Sequence, residues 1–195
     1  MFNQDHFIQA CLDARQEGQT ALREVMQQSM SKPREILSTL GTPQHAGITT
    51  LYRSSSLTII NFVWAPYMSL LPHNHHMFAV IGLYSGREDN LFWRKITHRI
   101  EAVGAKSLGV GEVASLGKNI IHSVLNPLNK MTASIHVYGG DFFAPKIARS
   151  EWDHETLQER PWNIDKAKML FSEAEARFNA YSKSASQQTP LKTPI

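Results

Sequence analysis

The sequence predicts a mainly β fold with helices at both ends. From about Gly47, short segments rich in β-branched and aromatic residues are separated by Pro, Gly, Asn and Asp, which is typical of an all-β sandwich or barrel. Apolar residues at helical spacing precede and follow this region. The predicted strands are ITTLYRSS, LTIINFVWAP, HMFAVIGLYS, DNLFWRKI, HRIEAVGAKSLG, EVASLG, IIHSVLN and ASIHVYGG.

The 195 residues suit one domain with a core and added helices. Apolar spacing over 3–29 predicts helix, with Gly18 as a break, and Pro33 near the start of a short helix that ends at about Leu40. Helical spacing returns after Pro161. The predicted segments are an N-terminal helical segment (1–46), a barrel (47–150), a C-terminal helical segment (151–182) and a polar, disordered tail (183–195).

The composition argues against several classes of partner. The net charge is only +3 and the basic residues are scattered, so we expect no nucleic-acid binding. The single cysteine, Cys11, allows no intramolecular disulfide and no cysteine-based zinc motif, which favours the cytoplasm. The first residues lack the pattern of a secretory signal, and the apolar stretches are too short for a membrane helix.

A histidine pair opens the most informative stretch, LPHNHHMFAVIGLYSGRE. His73 and His75 are one residue apart, so on a strand they point to the same face. With His122 from a neighbouring strand they would form a three-histidine site, with open positions, for non-haem iron or a similar metal. The alternative is a polar turn with His122 paired in the core. His76 would point to the opposite face.

These histidines resemble the two motifs of the cupins, G-x5-H-x-H-x3-4-E-x6-G and G-x5-P-x-G-x2-H-x3-N. His73 and His75 match the pair of the first motif, and Gly111, His122 and Asn126 keep the spacing of the second. The resemblance implies a double-stranded β-helix, the cupin or jelly-roll barrel.

The sequence departs from both motifs. Gly117 and Asn119 replace the Pro and the middle Gly of the second motif, and the glutamate of the first falls at Ala79 or Val80, which are apolar. Glu88 comes too late to replace it. The resemblance therefore implies a metal held by three histidines without a carboxylate.

A second pattern narrows the family. Ser134, His136 and Tyr138 alternate in ASIHVYGG and so share one strand face. This is similar to the Ser-His-Tyr relay of the thiol dioxygenases, the family of cysteine dioxygenase and 3-mercaptopropionate dioxygenase. In that relay Tyr138 would reach towards dioxygen or substrate, His136 would hold the tyrosine, and Ser134 would orient the histidine. The alternatives are a solvated polar strand face or a buried tyrosine with a satisfied hydroxyl.

Arg53, in LYRSSS, stands in a Tyr-x-Arg-like context similar to that of the substrate-binding arginine of cysteine dioxygenase. A guanidinium meets a carboxylate with two hydrogen bonds, so we expect Arg53 to bind a substrate carboxylate. The alternative is a surface arginine, and Arg87 and Arg94 are rival candidates. Because Ala79 or Val80 stands where mammalian cysteine dioxygenase has its crosslinked cysteine, no Cys–Tyr crosslink to Tyr138 is expected.

The resemblance implies an Fe(II) enzyme that adds both atoms of O2 to the sulfur of a small thiol, such as cysteine or 3-mercaptopropionate, and gives a sulfinic acid. Two alternatives stay open: a three-histidine cupin dioxygenase that cleaves carbon–carbon bonds, and a cupin that binds a small molecule without turnover. A homodimer is compatible with the fold. The sequence does not choose among the thiols.

Overall fold

The structure is a computed structural model that describes the backbone of residues 1–97 and 99–187 and the side chains of 1–97 and 99–183. This part of the chain forms four helices and eleven strands. The helices are α1 (Gln4–Glu17), α2 (Gln19–Met30), α3 (Pro33–Leu40) and α4 (Ile164–Gln187). The strands are β1 (Gly47–Arg53), β2 (Thr58–Trp64), β3 (Ser69–Asn74), β4 (Ala79–Ser85), β5 (Arg87–Ile96), β6 (Arg99–Gly109), β7 (Val113–Leu116), β8 (Ile121–Leu125), β9 (Thr132–Tyr138), β10 (Ser150–Trp152) and β11 (Glu159–Pro161).

The strands form two antiparallel sheets, which confirms the prediction of a mainly β, double-stranded β-helix with helices at both ends. One sheet has the order β1-β2-β9-β4-β7 and the other the order β11-β10-β3-β8-β5-β6. Side chains from both sheets meet in one apolar cluster that includes Phe62, Ile81, Leu70 and Val124. The interior between the two sheets is therefore the main core of the barrel.

The N-terminal helices cover the outer face of the five-stranded sheet. Asn3 begins α1 by accepting a hydrogen bond at Oδ1 from the backbone N–H of His6, and Gly18, with φ of 106°, separates α1 from α2 as predicted. Met26 and Met30 of α2 are fully buried in an apolar cluster with outward side chains of β2, β4 and β9. These helices stabilise the barrel from outside and lie away from its interior.

Strand β9 lies in the middle of the five-stranded sheet, between β2 and β4, and each of its side chains is buried. Successive side chains of a strand alternate between the two faces. The outward side chains, packed with the N-terminal helices, are Ala133, Ile135 and Val137. The inward side chains are Ser134, His136 and Tyr138. The polar face of β9 is thus enclosed in the barrel, and the interpretation as a solvated strand face is wrong.

The C-terminal part differs from the prediction in two places. The segment predicted as helical from 151 to 182 begins with β10 and β11, and only then forms α4. Three-residue strands are too short to show alternation in a sequence, and they form here because β10 pairs with β3 and β11. Helix α4 continues through Gln187, past the predicted start of the tail at residue 183. The remaining residues, 188–195, lie outside the described part of the chain.

Helix α4 packs over one end of the barrel through Ala167, Phe171 and Ala174, which belong to the core cluster between the sheets. Glu175 fixes the helix to the start of β1, since its carboxylate accepts a hydrogen bond from the backbone N–H of Ala46 at 2.6 Å and lies 2.7 Å from Nδ1 of His45. Among the described helices, none combines the length and apolar character needed to cross a membrane.

The contact between α2 and β4 depends on Gly82. A Cβ atom at this position would lie 2.5 Å from Sδ of Met26 and 2.7 Å from Cγ of Met30. We expect Gly82→Ala to lower the free energy of unfolding by about 1–3 kcal/mol, because the helix must move away from the sheet. Gly117→Ala is the matched control, since a Cβ there meets no atom of the described chain within 4 Å. Urea unfolding measures both, and equal stability of the two variants would contradict this packing.

Candidate metal centre

Strands β3 and β8 bring the predicted metal ligands together. His73 lies on β3 directly opposite His122 on β8, and His75 follows one residue after the end of β3. The sequence had placed the histidine pair at the front of the strand that became β4. It is instead at the end of β3, which was not predicted because Pro72 argues against a strand. The pairing of β3 with β8 is irregular between Leu70 and His73, so the proline is accommodated there.

The three histidines form a compact, buried cluster. One ring nitrogen of each lies within 4.8 Å of the corresponding atoms of the other two. The ring centroids are 4.9 Å apart for His73 and His75, 4.6 Å for His73 and His122, and 5.0 Å for His75 and His122. Each side chain is at most 3% exposed. Three imidazoles that converge at this distance are suited to share one metal ion.

Hydrogen bonds fix which nitrogen of two rings is available. Nδ1 of His73 lies 2.9 Å from the carbonyl oxygen of Leu71, which can only accept, so Nδ1 carries the hydrogen. Nδ1 of His122 lies 2.7 Å from Oδ1 of Asn90 and donates in the same way. In both rings Nε2 then has a free lone pair. This pattern of outer partners is typical of metal-binding histidines.

The ring nitrogens that have no hydrogen-bond partner support metal binding at this cluster. Within the described part of the chain, Nε2 of His122 and both ring nitrogens of His75 are buried without a hydrogen-bond partner. Buried polar atoms without partners are rare, because desolvation costs free energy that nothing returns. A metal ion bound to Nε2 of His122 and to one ring nitrogen of His75 would satisfy two of these three atoms.

The surroundings keep all three rings neutral. Burial lowers the pKa of His73 and of His75 well below the ordinary value, and the neighbouring histidines and Arg149 lower it further. Burial also lowers the pKa of His122, to about 3, although the charge of Glu88 opposes the shift. Neutral imidazoles at neutral pH are the form that binds metal ions.

The other positions of the two cupin-like motifs do not add ligands to the cluster. His76 has φ of 54° and lies, half-buried, in the turn after His75. Asn126 makes hydrogen bonds in the turn between β8 and β9: its Nδ2 donates to the carbonyl of Ala65, and its Oδ1 accepts from Thr132. Its role is therefore to hold the turn beside the site.

The Ser-His-Tyr pattern forms a connected series of hydrogen bonds inside the barrel. Oγ of Ser134 lies 3.0 Å from Nε2 of His136, and Nδ1 of His136 lies 3.1 Å from the hydroxyl oxygen of Tyr138. All three side chains are at most 2% exposed. The geometry agrees with the predicted relay, whose catalytic role stays a prediction.

Tyr138 links the relay to the histidine cluster. Its ring lies 5.0 Å from the ring of His75, centroid to centroid, and crosses it at 73°. Burial raises the pKa of Tyr138 above its ordinary value, so the hydroxyl keeps its proton at neutral pH and can donate a hydrogen bond. A group of this kind beside a metal site can hold or deliver a proton to a bound molecule.

Glu88 is a site residue whose role the sequence did not indicate. Its side chain is fully buried, and its carboxylate accepts hydrogen bonds from Ser134 at 2.8 Å and from Asn90 at 3.0 Å. Burial raises the pKa of Glu88, but the charge of His136 and the hydrogen bonds from His136, Asn90 and Ser134 lower it more, so that the net shift is downwards. Glu88 is therefore ionised at neutral pH.

The structure does not bring Arg53 into this cluster. Its guanidinium makes two hydrogen bonds to the carboxylate of Asp141, at 2.9 and 3.0 Å, and its side chain is about half exposed. Among the described residues, neither Arg53 nor Arg149 lines the cavity beside the histidines. The rivals Arg87 and Arg94 form surface ion pairs with Asp89 and Glu101.

Arg149 lies where an arginine near the site was expected. It is 5% exposed and packs between the rings of Phe142 and Trp162, with its Cζ 4.3 and 4.5 Å from their centroids. Its Nε and Nη1 donate to the backbone carbonyls of Asn74 and Phe142 at 2.9 and 3.1 Å. Within the described chain, Nη2 is buried without a partner and none of the ion pairs includes Arg149. Burial lowers its pKa to about 10.

Two features make the position of Arg149 beside the histidines hard to predict from the sequence. It lies in an irregular segment between β9 and β10, where no periodicity marks a side chain as inward. Its neighbour Trp162 comes from the residue after β11 and stacks on His73 with 5.0 Å between ring centroids. The backbone N–H of Trp162 donates to the carbonyl of Arg149, which fixes the two residues to each other. The one available signal was an arginine among apolar and aromatic residues.

A cavity of about 10 Å³, enough for about one water molecule, lies between the histidines and α4. Its polar lining comes from His73, His122, His136 and Tyr138. Its apolar lining includes Phe62, Trp64, Leu70, Phe142, Trp162, Ile164 and Phe171. A molecule larger than water can enter only if the side chains that cover the cavity, among them Trp162 and Phe171, move.

The sequence matches no model of a known protein family. Among solved structures, the chain is similar to an uncharacterised protein with a double-stranded β-helix domain from Klebsiella pneumoniae, at 10% identity and a TM-score of 0.42, over 63% of this chain and 88% of the other. It is also similar to an RmlC-like cupin from Methanocaldococcus jannaschii, at 10% identity and a TM-score of 0.44, over 52% and 85%. A third similar structure is a DMSP lyase from Ruegeria pomeroyi, at 14% identity and a TM-score of 0.42, over 54% of this chain and 50% of the other.

We expect the metal-free protein to lose stability as the pH falls below about 6.5, the ordinary pKa of histidine. The folded chain keeps His73, His75 and His122 neutral, because their pKa values are lowered, whereas the unfolded chain binds protons at all three. The free energy of unfolding then falls by up to about 1.4 kcal/mol per pH unit for each histidine. Below about pH 3 the folded chain also binds a proton at His122, so this residue causes no further loss of stability.

Urea unfolding in the presence of a chelator, between about pH 8 and about pH 5, measures this dependence. The variant His122→Asn should show a smaller decrease than the wild type, because one buried neutral imidazole is gone. Equal pH dependence in the two proteins would contradict the lowered pKa of His122.

Proposed function

We propose that this protein is a metal-dependent thiol dioxygenase, which adds both atoms of O2 to the sulfur of a small thiol that carries a carboxylate and gives a sulfinic acid. Its metal would be Fe(II), held by His73, His75 and His122. Cysteine and 3-mercaptopropionate are the proposed substrates, and the cytoplasm is the proposed location. The observation that carries the proposal is the joint burial of a three-histidine cluster and a hydrogen-bonded Ser-His-Tyr series in one barrel interior.

The donor set supports iron more than a structural zinc site. The cluster offers three neutral nitrogen ligands, whereas a closed structural zinc site has four protein ligands. A bound Fe(II) would supply a place for a thiol and dioxygen to meet and a path for electrons from the sulfur to the oxygen. The chain's own residues would bind and orient the substrate and manage protons.

Tyr138 is the group placed to assist a reacting molecule. Its protonated hydroxyl is oriented by Nδ1 of His136, and its ring contacts His75. His136 is in turn held by Ser134, which also accepts a hydrogen bond from Nε1 of Trp64 at 3.2 Å. The hydroxyl is therefore fixed beside the metal ligands, where its oxygen can accept a hydrogen bond from a substrate or its O–H can turn from His136 to a bound molecule.

Arg149 favours an anionic substrate. It is a buried cation without an ion-pair partner in the described chain, and its charge is close enough to lower the pKa of His73, His75 and His122. An isolated buried charge is costly, so an anion that binds there gains from pairing with it. Its free Nη2 offers the hydrogen bond that a carboxylate accepts. This geometry supports Arg149 over Arg53 as the carboxylate-binding residue.

Oxygen uptake by iron-loaded protein tests the proposed reaction. With cysteine and 3-mercaptopropionate we expect O2 consumption and a sulfinate product in equal amounts. His122→Ala should abolish uptake by removing one metal ligand, and Tyr138→Phe should lower kcat by about 10²–10⁴-fold while iron binding stays within about twofold.

Uptake of O2 without sulfinate would contradict the proposed reaction. The proposed function would also be wrong if protein shown to hold one iron per chain consumed no O2 with either thiol. Uptake with a diketone in place of a thiol would favour carbon–carbon cleavage, and stable small-molecule binding without uptake would favour a non-catalytic role.

Two arginine variants decide which residue binds the substrate carboxylate. Arg149→Lys keeps the charge but loses the planar guanidinium, so we expect KM for 3-mercaptopropionate to rise at least about tenfold. Cysteamine, which has no carboxylate, should show a much smaller change between wild type and variant. Arg160→Lys is the control, because Arg160 forms a surface ion pair with Asp153.

The KM of Arg53→Lys for 3-mercaptopropionate is measured in the same way as that of Arg149→Lys. A rise in KM for 3-mercaptopropionate in Arg53→Lys, with no change in Arg149→Lys, would return the carboxylate-binding role to Arg53. Iron stoichiometry and circular dichroism of each variant show whether the fold and the metal site are retained.

A further inference from the structure

Glu88 stands at the junction of two hydrogen-bond series that begin at the same carboxylate. Through Oε1 it accepts from Nδ2 of Asn90 at 3.0 Å, and Oδ1 of Asn90 lies 2.7 Å from Nδ1 of His122. Through Oε2 it accepts from Ser134 at 2.8 Å and lies 3.3 Å from Nε2 of His136. One series therefore ends at a candidate metal ligand and the other at Tyr138.

The first series sets the proton of His122. A carboxylate only accepts hydrogen bonds, so Asn90 must turn its NH2 group towards Glu88. Its amide oxygen then faces His122, and Nδ1 of that ring must donate. The hydrogen is thereby placed on Nδ1, and Nε2 keeps the lone pair that a metal needs.

The second series sets the proton of His136. Oε2 of Glu88 accepts from Ser134 and from Nε2 of His136, so Nε2 carries the hydrogen. In the neutral form of this ring, to which the tautomer applies, Nδ1 is then an acceptor and Tyr138 donates its O–H to it. The direction of the hydrogen bond at Tyr138 thus follows from the same carboxylate.

We propose that Glu88 is a positioning residue that determines the tautomers of both His122 and His136, and so couples the metal ligand to the relay. Glu88 is fully buried and Asn90 is 2% exposed, which leaves water little access to substitute for either partner. For the His122 series the inference rests on the proposed metal site. For the His136 series it rests only on the hydrogen bonds of the barrel interior.

The isosteric variant Glu88→Gln tests the proposal directly, because an amide has one group that accepts hydrogen bonds and one that donates them. If its oxygen faces Ser134 and His136, its NH2 meets Asn90, which must turn around and force His122 to accept at Nδ1. If its oxygen faces Asn90, its NH2 meets the second series, and His136 must accept at Nε2 and donate from Nδ1. One of the two histidines is expected to change tautomer in either case.

The experiment measures the ¹⁵N chemical shifts of the imidazole nitrogens in the full chain without metal, and the affinity for Zn²⁺ by calorimetry. In Glu88→Gln we expect either His122 to carry its hydrogen on Nε2, with Zn²⁺ affinity lowered by about 10–100-fold, or His136 to carry it on Nδ1, with Zn²⁺ affinity unchanged. The control Glu151→Gln should keep both tautomers and the wild-type affinity. Glu151 is also a buried carboxylate, on strand β10, but its partners are Lys166 and the backbone N–H of Asn163.

Wild-type tautomers at both histidines in folded Glu88→Gln would overturn the proposal. Glu88→Asp keeps the accepting group, so it should retain both tautomers, and a change there equal to that in Glu88→Gln would show that packing, and not the accepting carboxylate, sets them.

Asn90→Ala provides a second route if Glu88→Gln does not fold. It removes the connection to His122 alone, so Zn²⁺ affinity should fall by about 10–100-fold while His136 keeps its tautomer. Unchanged affinity and an unchanged His122 tautomer would overturn the proposal. These readouts are independent of thiol oxidation: a wild-type chain that binds no Zn²⁺ would defeat the proposed metal site, whereas the tautomers in the metal-free chain would still test Glu88.

Discussion

The structure depends on one constraint: polar side chains are buried inside a barrel whose interior is otherwise mainly apolar. Strand β9 is covered on both faces, so Ser134, His136 and Tyr138 have no access to solvent. A buried polar group without a partner costs about 1–3 kcal/mol, which is a large share of the stability of a domain. The interior must therefore supply partners, and Glu88 and Asn90 on β5 do so from the opposite sheet.

The same constraint explains the distribution of charge. Glu88 is a buried anion, and its hydrogen bonds from three neighbouring side chains offset the cost of desolvation. Arg149 is a buried cation whose guanidinium rests on two aromatic rings and donates to backbone carbonyls, yet it keeps one nitrogen without a partner in the described chain. The interior is thus satisfied around the relay and unsatisfied around the histidines and Arg149. Unsatisfied polar atoms gathered in one place are where a metal and an anion gain most by binding.

The sequence was sufficient for the parts of the molecule that repeat a local pattern. Short segments rich in β-branched and aromatic residues predicted β2, β4 and β9, and Gly18 predicted the break between α1 and α2. The spacing of His73, His75 and His122 predicted a cluster that the structure brings together. Strand β3 escaped prediction because Pro72 interrupts its pattern and because long-range pairing with β8 stabilises it. Local patterns do not carry information of that kind.

The residues around the cluster escaped prediction for a related reason. The distance of Glu88 along the chain from the histidine pair argues against a metal ligand, whereas its position in the interior depends on contacts with Ser134 and His136, which are far away in sequence. Arg53 was chosen from a local context, but Asp141 holds it at the surface, and the buried arginine is Arg149 from an irregular segment.

The C-terminal segment therefore contributes more to the site than its sequence indicated. The N-terminal helices pack on the outer face of the five-stranded sheet, so we expect changes there to act on the proposed reaction mainly through stability. The chain from Arg149 to α4, in contrast, supplies the buried cation, the ring that stacks on His73 and the side chains that cover the cavity. The barrel strands position the three histidines and the Ser-His-Tyr series, while under the proposed function the covering segment would limit the charge and size of the molecule that reaches them. Metal binding and substrate selection would then depend on different stretches of the chain.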